Sequence, residues 1–179
     1  KFVSKMIINK KRVAEFVSAE GFAASIVAKE VKSLDLYDFH KNHYSVSKKF
    51  NKFQKNINVY NQDILSLNGK IKYDAIYSLD VLEHIDKKQE NDFFEIIVKS
   101  LNFDGVSIIG IPSLEFQKYT SDENKKSHIN CKTFEQLNSL CAKFFYNTFM
   151  FSMNDEYIHT GHKKMASYFI CICSMPKKE

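Results

Sequence analysis

The sequence predicts an α/β fold in which a mostly parallel sheet is covered by helices on both faces. Apolar strand-like runs alternate with helical patterns through most of the chain, the order that parallel strands joined by crossover helices require. Near the start, a strand (Arg12–Phe16), a turn (residues 17–21), a helix (about 22–32) and a second strand ending in Tyr37-Asp38-Phe39 put an acidic residue some twenty positions beyond the turn. That is the layout of a nucleoside-binding βαβ unit. At the other end, two strands with only a loop between them are most simply antiparallel neighbours, an ending that a plain dinucleotide-binding sheet lacks.

The elements follow in order. Met6-Ile7-Ile8 closes a lead-in helix, and the first strand follows. In the next helix, Ala23, Val27, Ala28 and Val31 share one face at helical spacing. Residues 40–53 are lysine-rich with Tyr44, Val46 and Phe50 and read as a second amphipathic helix; Ile57-Asn58-Val59-Tyr60 is a short strand. Tyr73–Leu79 (YDAIYSL) is a strongly apolar strand. Asp86 with Gln89 three residues later resembles a capping box for a helix running to about Ser100. Asn102-Phe103-Asp104-Gly105 reads as a turn before a buried strand (106–111) that Pro112 stops. Residues 113–130 are polar and aperiodic and read as a loop or lid. Thr133 with Gln136 caps a helix carrying Leu137, Leu140, Cys141 and Phe144, and the two closing strands are placed at about 147–152 and 167–173.

The 179 residues suit a single domain, 1–179, large enough to bury a substantial core. The net charge of +5 comes from scattered lysine pairs such as Lys48-Lys49 and Lys125-Lys126, with no aromatic-interleaved arginine cluster; they are solvated faces, and no nucleic-acid partner is expected. Cys171 and Cys173 alternate on one strand and point the same way. With Cys131 and Cys141 they form no disulfide framework, so a reduced, cytoplasmic setting is expected. No apolar run approaches the roughly 18 residues of a membrane span, and no membrane partner is expected. There is no signal-peptide pattern; Lys1 is not an initiating Met, which leaves room for trimmed upstream residues.

Open α/β sheets bind ligands at the carboxyl ends of their strands, and several stretches fall there. The turn from Glu15 to Gly21 is placed to cradle a nucleoside-linked amino acid with backbone groups near a helix N-terminus, although a plain strand-to-helix turn would read the same. Asp38, with Phe39 beside it, can accept both hydroxyls of a ribose. Asp63 followed by Ile64 suits an adenine, one bonding its amino group and the other covering its ring. Ser78-Leu79-Asp80-Val81-Leu82-Glu83-His84 follows the central strand; there His84 either orients the loop or serves as a base.

The segment Tyr73-Asp74-Ala75-Ile76-Tyr77-Ser78-Leu79-Asp80-Val81-Leu82-Glu83-His84-Ile85 resembles the central strand and following loop of class I S-adenosylmethionine-dependent methyltransferases acting on small molecules. Leu101-Asn102-Phe103-Asp104-Gly105-Val106 resembles the turn before their fifth strand; His128-Ile129-Asn130, Thr133-Phe134-Glu135-Gln136-Leu137 and the tail to Cys173 are similar to their closing region. The resemblance implies a three-layer Rossmann-like fold, a seven-stranded sheet with the last strand antiparallel, S-adenosylmethionine as cofactor, and methylation of a small-molecule acceptor. It implies cofactor-binding roles for Glu15, Val17, Ala19, Gly21, Asp38, Phe39, Asp63, Ile64, Ser78 and Leu79, the last two facing the donor sulfonium. His84 is the candidate for general base or substrate contact. Val17 and Ala19 depart from the pattern, which has glycine at both positions for permissive dihedrals and close backbone approach.

That departure motivates a second reading, a pseudo-methyltransferase kept as a binding or partner subunit in a homo- or hetero-oligomer. A dinucleotide-dependent oxidoreductase fits the acid after the second strand, but not the Leu82-Glu83-His84-Ile85 segment or the two-strand ending. His40-x-x-His43 and His159-x-x-His162 have ligand-like spacing with no completing Cys or carboxylate set, so no metal is expected.

Overall fold

The computed structural model describes residues 1–178. Eight strands form one sheet in the order β3-β2-β1-β4-β5-β8-β6-β7. They are β1 (Arg12–Phe16), β2 (Ser33–Asp38), β3 (Ile57–Asn61), β4 (Tyr73–Leu79), β5 (Leu101–Pro112), β6 (Phe145–Asn154), β7 (Tyr157–His159) and β8 (Tyr168–Pro176). The first five are mutually parallel. β8 inserts between β5 and β6, antiparallel to both.

The antiparallel last strand is therefore as expected, but there are eight strands and not seven. The extra one lies inside the expected loop after β6, where Asp155 takes a left-handed turn (φ 48°) and lets β7 fold back on β6. Period-2 patterning was too short over three residues to reveal it.

The helices are α1 (Phe2–Met6), α2 (Ala24–Ala28), α3 (Lys41–Phe50), α4 (Glu90–Ser100), α5 (Asp122–Ser127) and α6 (Phe134–Phe144). Strand alternation splits the core between the two faces of the sheet. Phe16, Phe93, Phe94, Ile97, Leu137 and Phe169 pack on one face; Val13, Val27, Leu34, Leu36 and Ile108 pack on the other. A fully buried aromatic of this kind contributes about 1.5–3 kcal/mol relative to exposure. No helix among the described residues is long and apolar enough to cross a membrane.

Several elements differ from expectation for local reasons. α2 stops at Ala28 because its continuation is diverted: the Glu30 carbonyl accepts from Asn9 N (2.7 Å) and Lys32 N donates to the Lys10 carbonyl (3.0 Å). The β-branched Ile26, Val27 and Val31 also lower helix propensity there. The Asp86/Gln89 capping box does not form. Asp86 Oδ1 accepts from Lys88 N at 2.8 Å, and α4 begins a turn later at Glu90 without a side-chain cap. The Thr133/Gln136 box does form, with both reciprocal bonds. Residues 102–105 are a bulge within β5: Tyr73 pairs with Leu101 and Ala75 with Val106. The stretch 113–130 is more structured than a loop, holding a 3-10 turn (Glu115–Tyr119) and α5.

A buried polar cluster ties the first strands together at mid-sheet. Asp35, fully buried, accepts from Arg12 Nη2 (2.8 Å), Tyr73 Oη (2.9 Å) and Asn58 Nδ2 (2.8 Å). A buried carboxylate is tolerated only when paired and hydrogen-bonded in this way.

Candidate functional site

The turn after β1 builds the site. Val17 (φ 59°), Ala19 (φ 46°) and Gly21 (φ 65°) all sit in the left-handed region. The backbone thus keeps the conformation that three glycines would favour, with two L-side chains bearing the strain. It is over-determined by bonds: Ser18 N to the Tyr37 carbonyl (2.9 Å) and Gly21 N to the Ser18 carbonyl (2.9 Å), and Ala19 N to Asp38 Oδ2 (2.9 Å). Gly21 is required twice over, because a Cβ there would lie 2.5 Å from Ser47 Oγ on α3.

Asp38 is 1% exposed, and its carboxylate is spent on the protein. Besides Ala19 N, it accepts from His40 N at 2.8 Å, and His43 Nδ1 lies 3.3 Å from Oδ1. Glu15, half-buried on β1, accepts from the Tyr77 hydroxyl at 2.8 Å. Burial pushes its carboxyl up to about 7, against the opposing pull of that hydroxyl.

A cavity of about 310 Å³ opens beside the turn at the carboxyl end of the sheet, lined among others by Val17, Phe39, Asp63, Ile64, Asp80 and His84. Five predicted site residues thus meet around one hollow. Phe39 is 54% exposed, an aromatic face open to a ligand. Asp63 caps the 3-10 turn Ile64–Ser66, accepting from Leu65 N at 2.9 Å, and Ile64 is buried behind it.

Glu15, Ala19, Gly21, Asp38, Ser78 and Leu79 do not line the cavity. Ser78 is buried and donates to the Phe16 carbonyl at 3.3 Å. Leu79 packs over Gly110, where a Cβ would come within 2.5 Å of its Cδ2. A larger hollow of about 550 Å³, lined by Lys72, Lys99, Lys143, Lys177 and Lys178, lies at the opposite edge of the parallel strands. Four of its ammonium groups are engaged: Lys72 bonds Lys99 O at 2.5 Å, Lys177 bonds Ala142 O at 2.7 Å, Lys99 pairs with Glu95, and Lys178 bonds the Leu101 carbonyl.

Sequence reasoning missed Glu83 and His128. Glu83 is fully buried, with neither carboxylate oxygen hydrogen-bonded. His128 comes from the segment before α6 and stacks edge-on to His84, ring centroids 5.2 Å apart. Both were visible as letters in the Leu82-Glu83-His84-Ile85 and His128-Ile129-Asn130 stretches, 45 positions apart, but nothing in a single sequence says that they meet.

The sequence matches no family model and no curated protein. The structure matches solved ones. N-methyltransferase NodS from Bradyrhizobium japonicum WM9 superimposes with a TM-score of 0.73 over 98% of this chain and 92% of that one, at 16% identity. The methyltransferase domain of bacterial CtHen1-C gives 0.79 over 97% and 95%, at 14% identity. DhpI, solved as a complex with S-adenosylhomocysteine (SAH), gives 0.68 over 91% and 76%, at 13% identity. At these identities the likeness establishes the fold: that of the class I S-adenosylmethionine-dependent methyltransferases, here with one added edge strand.

Proposed function

We propose that the chain binds S-adenosylmethionine at the turn after β1 and transfers its methyl group to a small-molecule acceptor. One observation carries the reading: Val17 and Ala19 hold the left-handed backbone that the cofactor turn needs, although neither is glycine. A turn released from that duty would be expected to relax into an unstrained conformation. The apolar walls at Phe39 and Ile64, with Asp63 between them, suit an adenine, and NodS and DhpI have been solved with SAH.

When bound, the cofactor supplies a sulfonium methyl open to in-line displacement, so the protein's contribution is positioning and exclusion of water. When the cofactor is bound, Phe39 would cover one face of the adenine, Ile64 would support the ring, and Asp63 would accept from the exocyclic amine. Asp38 is a positioning residue that fixes the turn through Ala19 N; direct contact with the ribose requires its internal bonds to open. Glu15, whose carboxyl burial raises to about 7, would release its proton to solvent and pair as a carboxylate with the cofactor's ammonium. His84 faces the acceptor side, with Nδ1 held by the Ser127 carbonyl at 3.0 Å. Calorimetric titration with SAH and with NAD tests the reading: saturable SAH binding is expected, and no SAH binding at high concentration would overturn it.

A second reading, a non-catalytic partner subunit, is favoured by a specific feature. The Val17 side chain lines the cavity where a glycine would leave room. Wild-type SAH affinity equal to that of a Val17→Gly, Ala19→Gly double variant would remove its basis.

A further inference from the structure

We propose that Glu83, His84 and His128 form a divalent-cation site at the acceptor side of the cavity. Glu83 Oε1 or Oε2 and one imidazole nitrogen from each histidine all lie within 4.8 Å of one another. His84 is itself a cavity-lining residue, so an ion held there borders the space in which the acceptor is placed.

The tautomers follow from the hydrogen bonds. His84 Nδ1 faces the Ser127 carbonyl at 3.0 Å. A carbonyl only accepts, so Nδ1 carries the proton and Nε2 presents a lone pair. His128 Nδ1 faces Gln117 Oε1 at 2.9 Å. The Gln117 amide is fixed in that sense because its Nε2 donates to the Ser113 carbonyl at 3.1 Å. His128 Nε2 is therefore free as well. Two histidines, each donating one ring nitrogen to an oxygen and presenting the other, form the outer shell that metal-binding histidines use to fix ring orientation.

Glu83 supplies the independent observation. It is 0% exposed, and both carboxylate oxygens lack any hydrogen-bond partner. A buried carboxylate without a partner needs either a proton or a cation. Glu83 Oε1 stands 3.9 Å from His84 Nε2. Ligands on one ion at about 2.0–2.2 Å are about 3–3.5 Å apart, so the three ligand atoms, all within 4.8 Å of one another, close on an ion by side-chain movements of about 1–2 Å.

Two imidazoles and a carboxylate suit a borderline divalent ion such as Mn²⁺, Fe²⁺, Co²⁺ or Zn²⁺, with positions left open on one side. That side adjoins the cavity and is free to take an oxygen of the acceptor. This role rests on the methyl-transfer reading; the ion site itself does not.

Cobalt(II) is the probe, titrated into the chelator-treated full chain and followed by its visible d–d absorption. One saturating equivalent is expected. Glu83→Gln and, separately, His128→Asn are each expected to weaken it by about tenfold or more, with circular dichroism confirming the fold; His128 sits half-buried at the surface, so its variant stays informative should the buried Glu83 variant fail to fold. Absence of saturable absorption, or equal affinity in wild type and folded variants, would overturn the site. SAH titration of the same samples separates the two proposals. Cobalt binding without SAH binding removes the cofactor reading and keeps the ion site; SAH binding without cobalt binding does the reverse.

Discussion

The Ala19 amide donates to Asp38 Oδ2 at 2.9 Å, joining the strained turn after β1 to the end of β2. The bond is charge-assisted and partly buried, and the same carboxylate also accepts from His40 N. Asp38→Asn keeps the shape but loses the charge and one acceptor oxygen, so a backbone amide is left unpaired. A loss of about 1.5–3 kcal/mol in stability is expected, read by urea denaturation. SAH affinity should fall with it, because the turn loses its tether. A variant as stable as wild type would show that the turn is held by something else.

Ala19→Gly should act in the opposite direction. Ala19 carries the left-handed conformation (φ 46°) with only a methyl group to pack. The penalty for an L-residue there is about 1–2 kcal/mol, partly offset by glycine's greater freedom in the unfolded chain. A net gain of about 1 kcal/mol is expected, a rise in Tm of about 2–4 °C. An unchanged or lower Tm would mean that the turn is not strained at this position.

Val17→Gly separates strain from obstruction. The left-handed backbone is held by the protein's own bonds at Ser18, Ala19 and Gly21, so its cost falls on folding and not on binding. What bears on binding is the side chain, which projects into the cavity. SAH affinity should rise in this variant by about tenfold or more if the valine methyls overlap the cofactor, equivalent to about 1.4 kcal/mol. Its stability should change little, since removal of strain is balanced by loss of the packing that Val17 makes against the core.

The sequence revealed most where local chemistry and global fold agree. β1 and β4 occupy the residues that the apolar runs mark, and the Thr133/Gln136 box starts α6 where expected. Asp86 shows how the same signature fails: the side chain found a nearer amide, Lys88 N, and the helix began without it. The added strand β7 depends on Asp155 turning left-handed, a conformation Asp tolerates, but its three residues are too few for a strand pattern to show. The strand order brings the ends of consecutive strands together, and so places Val17, Phe39, Asp63, Ile64 and His84, all expected at the candidate site, around one cavity. Asp38 was legible as an acid but not as a buried one, since its partners Ala19 and His43 belong to neighbouring elements. His128 reaches the site only because the chain returns between α5 and α6, a contact set by tertiary packing alone.

Glu15 gives the fold a pH signature. The unfolded chain releases this proton near 4.5 and the folded chain near 7. Between those values the folded state holds the extra proton, so stability falls as pH rises from about 4.5 to 7 and stays low above it. The full penalty is at most about 3 kcal/mol, and closer to 1–2 kcal/mol because the side chain is only half-buried and partly screened. Glu15→Gln removes the titration while its amide oxygen can still accept from the Tyr77 hydroxyl. Urea denaturation at pH 5.5 and pH 8 should show the wild type losing stability between the two while the variant loses about 1–2 kcal/mol less. At pH 8 the variant should also be the more stable protein, yet bind SAH more weakly, because an uncharged amide cannot pair with the cofactor's ammonium. Parallel pH profiles for the two proteins would place the titration elsewhere and remove Glu15 from both roles.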